Sequence, residues 1–274
     1  MTESELRRVQ LTELEILTEI DRICKKNRIP YCIIAGTLLG AVRHKGFIPW
    51  DDDADVAMLR KDYERFVKAC AKEIDEKRFY FQDHRTTDGY RWGYGKMRRK
   101  DTLFLRLHQE NMPYDQGIFV DVFPLDSVPD SRIGRIVMNF RCFLLRKFLW
   151  ARVGKTADPL LRKRILYTLM DLIPEKRLLN ALDKLVASRR DKQSKWVRIL
   201  MFPTPNRQYG YLRRWYQSRS NIEFEGRMFP GIRDYDAYLS FKYGDYRRLP
   251  PVQKRKVHPV SALRLLPSGE ERRG

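Results

Sequence analysis

The chain has 274 residues, 43% of them hydrophobic and 12% aromatic, which is enough to bury a full core and excludes a largely disordered protein. Lys and Arg number 55 against 35 Asp and Glu, and the net charge of +20 points to anionic partners: polyanions, anionic lipid surfaces or phosphorylated substrates. Cys24, Cys32, Cys70 and Cys142 stand at neither C-x-x-C nor zinc-ligand spacing and read as reduced thiols, and the acidic start Met1-Thr2-Glu3-Ser4-Glu5 is unlike a signal peptide. The apolar stretch 133–150 is interrupted by Arg135, Arg141, Arg146 and Lys147, which argues against a membrane span, so a cytoplasmic protein is expected.

In chain order, the spacing of Leu11, Leu14, Ile16, Leu17, Ile20 and Ile23 predicts an amphipathic helix over 11–27, stopped by Pro30. The run 31–35 predicts a buried strand closed by Gly36, and 37–44 one or two helical turns before Gly46. Residues 47–50 read as a loop, 53–59 as a strand alternating acid with apolar, and Asp62 as the start of a helix reaching about residue 74. Segments 79–81, 94–97, 102–107 and 117–123 predict further strands of a mixed sheet. After Pro129 come basic helical stretches at 133–150, 160–172 and 176–188, and beyond Trp196 the aromatic, Pro and Gly residues predict an irregular segment packing back on the first half. The expected fold is α/β (α+β), with a mixed sheet and flanking helices in 1–130, a basic amphipathic helical appendage in 131–195 and the returning segment in 196–274.

The run Trp50-Asp51-Asp52-Asp53-Ala54-Asp55 carries the chemistry. Extended backbone over 51–56 would put Asp51, Asp53 and Asp55 on one face and Asp52 on the other. Three converging carboxylates repel unless they take up protons or a cation, and hard oxygen ligands favour Mg²⁺ or Mn²⁺. A solvated acidic turn would have the same composition, so the context decides. Upstream, Gly36-Thr37-Leu38-Leu39-Gly40 lies between a strand end and a short helix, where backbone N–H groups at Gly36 and Thr37 can hold phosphate.

That glycine turn followed by Asp53-Ala54-Asp55-Val56 resembles the core motif of the nucleotidyltransferase-fold superfamily, which implies a third carboxylate on a later strand. Asp121, within Gly117-Ile118-Phe119-Val120-Asp121-Val122-Phe123, is the candidate. The whole stretch from Ile29-Pro30-Tyr31 to Asp55 is similar to the LicD family. So are Phe119 to Asp126, Tyr243-Gly244-Asp245-Tyr246, Leu249-Pro250-Pro251 and His258. The resemblance implies transfer of a phosphorylated alcohol, such as phosphocholine or ribitol phosphate, from a CDP-linked donor to a sugar hydroxyl, with CMP as leaving product. The acceptor would be a cell-surface glycan, capsule or lipopolysaccharide, or its lipid-linked precursor.

On that basis Asp53, Asp55 and Asp121 are expected to hold one or two Mg²⁺ (or Mn²⁺) ions, and Asp51 or Asp121 to help deprotonate the acceptor. Asp52 is the acid least expected to do chemistry. Arg43 and Lys45, or Lys96 and Arg98 in Gly93-Tyr94-Gly95-Lys96-Met97-Arg98, are candidate contacts for the nucleotide, and His258 for phosphate or metal. The basic helices between 129 and 188 suggest peripheral contact with anionic membrane, or a charged face left in water. Nucleotidyl transfer from an NTP is the alternative on the same fold. A nucleic-acid-binding protein would suit the charge and the aromatic-basic stretch 209–216 but leaves the acidic run unexplained, so no nucleic acid is expected.

Overall fold

A computed structural model describes residues 1–189, 192–204, 206–255 and 257–267. The remainder, 190–191 in the expected helical region and 205, 256 and 268–274 in the expected returning segment, lies outside the described residues. The first helix, α1 (Glu3–Lys26), begins well before Leu11 because Thr2 and Glu5 form a capping box: the Glu5 N–H donates to the Thr2 hydroxyl (3.2 Å) and the Thr2 N–H to the Glu5 carboxylate (2.7 Å). Then come β1 (Cys32–Ile33), α2 (Ala35–His44), β2 (Asp55–Leu59), α3 (Arg60–Glu73), β3 (Phe79–Gln82), β4 (Gly95–Arg99), β5 (Leu103–Arg106) and β6 (Phe119–Val128). Three basic helices follow, α4 (Arg132–Ala157), α5 (Leu161–Met170) and α6 (Glu175–Ala187), the last two close to their expected spans and α4 running seven residues past its expected end at 150.

The segment beyond Trp196 is more regular than its composition suggests. It contains β7 (Trp196–Arg198), β8 (Tyr211–Leu212), α7 (Arg213–Gln217), β9 (Arg219–Phe224), β10 (Arg227–Ile232), α8 (Tyr235–Tyr243) and β11 (Val260–Arg264). The β9–β10 hairpin turns on Glu225 and Gly226, both at positive φ (52° and 71°), as a two-residue turn of the primed kind requires.

The fold is mixed α/β. One sheet runs β3-β4-β6-β2-β1-β10-β9, with β7 on the C-terminal half of β6 and β8 beyond it. β2 and β6 are parallel neighbours, as are β1 and β10, and the other pairs are antiparallel. The returning segment therefore completes the sheet begun by the first hundred residues, through Ile33 opposite Gly231. Buried apolar residues of α1 and α3, among them Ile16, Ile20, Tyr63 and Phe66, share one core with Val56, Val120 and Val122 of the central strands. Arg60 at the start of α3 donates twice to the Asp126 carboxylate of β6 (2.7 Å each), fixing that helix to the strand that carries Asp121. A separate ribbon, β5 with β11, carries Arg106 and brings the chain past His258.

Candidate active site

Asp55 opens β2 and stands directly opposite Asp121 on the parallel neighbour β6. Its N–H donates to the Thr37 hydroxyl (2.8 Å) in the first turn of α2, and the Asp121 N–H donates to the carbonyl of Ala54 (2.9 Å). The strand does not extend back through the acidic run. Residues 51–54 form a loop, so Asp51, Asp53 and Asp55 do not line one strand face as the period of two predicts. The loop is held from below by α1, where Gln10 donates to the carbonyls of Asp51 (3.0 Å) and Ile48 (3.3 Å). The two motif glycines set its position. A Cβ on Gly36 would lie 2.6 Å from an Asp51 carboxylate oxygen, and one on Gly40 would lie 2.4 Å from the Gly46 carbonyl oxygen.

Asp52, the acid least expected to do chemistry, is tied to the rest of the site. Only 1% exposed, it accepts the His258 backbone N–H at one oxygen (3.0 Å) and His258 Nδ1 at the other (2.8 Å). A carboxylate in this arrangement accepts, so Nδ1 carries a proton, and in the neutral ring it is Nε2 that keeps the lone pair. His258 thereby joins the acidic loop to β11, and Arg106 of β5 approaches the same ring (3.5 Å). Arg106 stacks on Phe119 (5.1 Å), and its Nε is buried with no partner among the described residues.

The other expected contacts divide. Lys96 is buried, pairs with the Asp121 carboxylate and lies 3.3 Å from the Phe119 ring centre. Arg98 is buried too, but its guanidinium is taken up by Gln82 (2.6 Å) and the Gly117 carbonyl (2.6 Å). Arg43 and Lys45 sit at the opposite end of α2 from Gly36 and Thr37. Arg43 donates to the Tyr246 carbonyl (2.9 Å), and Lys45 caps the helix at φ 59° with its side chain exposed.

Two site residues escape a linear reading. Glu13 of α1 is buried under the acidic loop with one oxygen unpartnered among the described residues. Burial and the charges of Asp53, Asp52, Asp51 and Asp55 push it well above the usual carboxylate range. The cue is an acid on the inner face of an amphipathic helix, in register with Ile16 and Ile20. Arg106 shares a strand face with buried Phe104, and that alternation is its cue.

The cluster is strongly repulsive. Burial, then Asp53 and Asp52, push Asp51 up to about 8. Burial, Asp53 and Asp121 push Asp55 well above its ordinary value, and burial raises Asp53 although His258 and Arg106 offset part of the effect. Burial pulls Lys96 down to about 7 against the attraction of Asp121. Among the described residues no three His, Cys, Asp or Glu side chains are gathered closely enough to grip a metal ion, and the Lys96 ammonium takes the cation position at Asp121. The donor chemistry nonetheless fits a hard divalent ion. Asp53, Asp55 and Asp121 offer oxygen only, and burial with neighbouring carboxylates raises the proton affinity of Asp53 and Asp55, a repulsion that a cation would relieve.

A parallel strand pair bearing facing carboxylates, entered from a glycine-bounded helix turn, is the arrangement that the resemblance to the nucleotidyltransferase fold implies. The comparisons agree: residues 28–142 match the LicD/FKTN/FKRP nucleotidyltransferase domain. The chain is 31% identical over 268 residues to the lipopolysaccharide cholinephosphotransferase LicD of Haemophilus influenzae, covering 95% of this chain and 98% of that one. It belongs to the LicD family and is a phosphotransferase. Shorter similarities link it to uncharacterised proteins of Rickettsia typhi, 35% identical over 72 residues (24% of this chain, 23% of that one), and Rickettsia prowazekii, 44% over 52 residues (19% and 20%).

Proposed function

We propose that the chain transfers phosphocholine, or a closely similar phosphorylated alcohol, from a CDP-linked donor to a sugar hydroxyl of lipopolysaccharide or its lipid-linked precursor, releasing CMP. The observation that carries this reading is the end-to-end similarity to the Haemophilus cholinephosphotransferase, with Asp55 and Asp121 face to face at the site.

Phosphoryl transfer asks for positioning and charge neutralisation rather than covalent catalysis. Asp53, Asp55 and Asp121 would hold Mg²⁺ or Mn²⁺, which when bound supplies neutralisation of the donor diphosphate. Thr37 fixes the Asp55 backbone, and the first turn of α2, with Gly36, offers N–H groups to phosphate. Lys96 and Arg106 add positive charge beside Asp121 and Asp53. The acceptor proton needs a receiver as its oxygen bonds to phosphorus and the bond to CMP breaks. His258 Nε2 suits that role better than Asp121, whose carboxylate is engaged by Lys96. Asp51, with its raised proton affinity, is the second candidate.

The test is a panel of CDP-choline, CDP-ribitol and CDP-glycerol with a sugar acceptor, read as CMP release with Mg²⁺ and with EDTA. CMP from one donor, abolished by EDTA, is expected. Pyrophosphate released from an NTP in place of CMP would transfer the protein to the nucleotidyltransferase alternative.

A further inference from the structure

Helices α4 and α5 present an apolar surface that the fold leaves uncovered. On α4, Ile133, Ile136, Val137, Phe140 and Leu144 recur at helical spacing and are all exposed, Ile133 by 77%. The same helix buries a second stripe, Met138, Cys142, Leu149 and Val153, against the rest of the chain. It is therefore apolar on two sides and packs with one. On α5 the pattern repeats: Tyr167 is its buried residue, while Leu161, Ile165, Leu166 and Leu169 are exposed, and the stripe continues into Leu172 at 74%. Folded monomers rarely leave so many large apolar side chains together in water.

The charge between these stripes identifies the occupant. α4 carries seven Arg or Lys residues and α5 three; Arg135 is buried, Arg152 and Lys155 pair with Asp171 and Lys163 with Asp158, and the others leave a positive excess with no Asp or Glu inside either helix. A second copy of this surface would bring like charges together, and a nucleic acid would leave the apolar stripes in water. An anionic bilayer surface satisfies both, taking large apolar side chains into the acyl boundary and cations against its headgroups. The surface is also continuous with the reaction site. Phe143, Lys147 and Trp150 of α4 line a cavity of about 450 Å³, and Trp150 and Arg106 lead from it into a second cavity lined by Lys96.

We infer that the α4–α5 surface docks on the interface of an anionic lipid bilayer, placing the cavity beside α4 within reach of a lipid-anchored acceptor. The acceptor clause rests on the transfer reaction proposed above, whereas the docking does not.

Flotation of the full chain with phosphatidylglycerol/phosphatidylethanolamine vesicles, and with phosphatidylcholine vesicles, tests it. Salt-sensitive binding to the anionic vesicles alone is expected. The triple variant Leu161→Glu, Ile165→Glu, Leu169→Glu should lower the bound fraction on the order of tenfold or more, and the pair Arg132→Glu, Arg162→Glu on the order of tenfold. Unchanged far-UV circular dichroism would show that both remain folded. Wild-type protein that stays unbound at low salt, or binds both vesicle types equally, overturns the inference. So does a lipid-free dimer in sedimentation that the triple variant dissolves, because a second copy would then be the occupant. CMP release with a soluble sugar acceptor is read in parallel. Both variants should match wild type there, and if none of the proteins turns over, the reaction fails while the docking is still judged by flotation.

Discussion

Asp51 keeps its proton to about pH 8 because burial and its neighbours Asp53 and Asp52 oppose ionisation. An unfolded Asp titrates near 3.9, so between about pH 4 and 8 the native state holds a proton that the unfolded chain has released, and stability falls as pH rises. The metal-free protein should therefore lose melting temperature from pH 5 to pH 8 in differential scanning fluorimetry, and Asp51→Asn should flatten that slope. Mg²⁺ should raise the melting temperature more at pH 8 than at pH 5. A wild-type melting temperature that climbs through this window would contradict the repulsive cluster. Asp52 allows a second prediction, since its buried carboxylate holds both the backbone and Nδ1 of His258. Asp52→Asn and His258→Gln should each lower kcat about a hundredfold, a typical general-base effect, and the double variant should be no worse than the poorer single. Full additivity in that cycle would mean the two act independently. The contacts of Asp52 were not legible in the sequence, and Glu13 left only the cue of an acid on the inner face of α1. The period-two argument assumes an extended run, and the loop at 51–54 arises from contacts with Gln10 and His258 that lie far away in the chain.

At the scale of elements, the two glycines that bound the α2 turn separate activity from stability. An added methyl at Gly36 meets the end of the Asp51 side chain, which can rotate, whereas one at Gly40 meets the backbone carbonyl of Gly46, which cannot. Gly36→Ala should leave the melting temperature within a degree or two, since Ala favours the helix by up to about 1 kcal/mol, yet lower CMP release at least tenfold by shifting Asp51. Gly40→Ala should lower both, costing roughly 1–3 kcal/mol as an overpacked contact. Thermal melts and initial rates on the two proteins check this, and equal melting temperatures would sink it. Where a local rule governs, element boundaries were legible: α5, α6, β3 and the start of α4 after Pro129 fall within two residues of their expected positions, whereas α4 runs seven residues past its expected end at 150. Where the cue is a cap or an atypical turn, they were not. α1 starts at a capping box rather than at an apolar residue, and the β9–β10 turn uses Glu-Gly in place of the commoner Asn-Gly.

At the scale of the molecule, the site depends on strand pairings that no local pattern announces. β1 meets β10, and β5 meets β11, across most of the chain, because closing such long loops is decided by the burial it permits and not by adjacent residues. The β5–β11 ribbon lies off the main sheet, and its removal is the sharpest test of how the two are coupled. A chain ending at Pro251 retains all nine strands of the sheet, the Asp55–Asp121 pair and Lys96, but loses β11 and His258 and uncovers Phe104 and Arg106. It should fold with nearly unchanged far-UV circular dichroism and a lowered melting temperature, and CMP release should fall at least a hundredfold, the same order as losing the base. Full-length His258→Gln should match that activity loss without the fall in melting temperature, because the ring is partly exposed and β11 stays paired. If the shortened chain kept more than about a tenth of wild-type turnover, neither the ribbon nor His258 would belong to the catalytic apparatus, and proton transfer would return to Asp51.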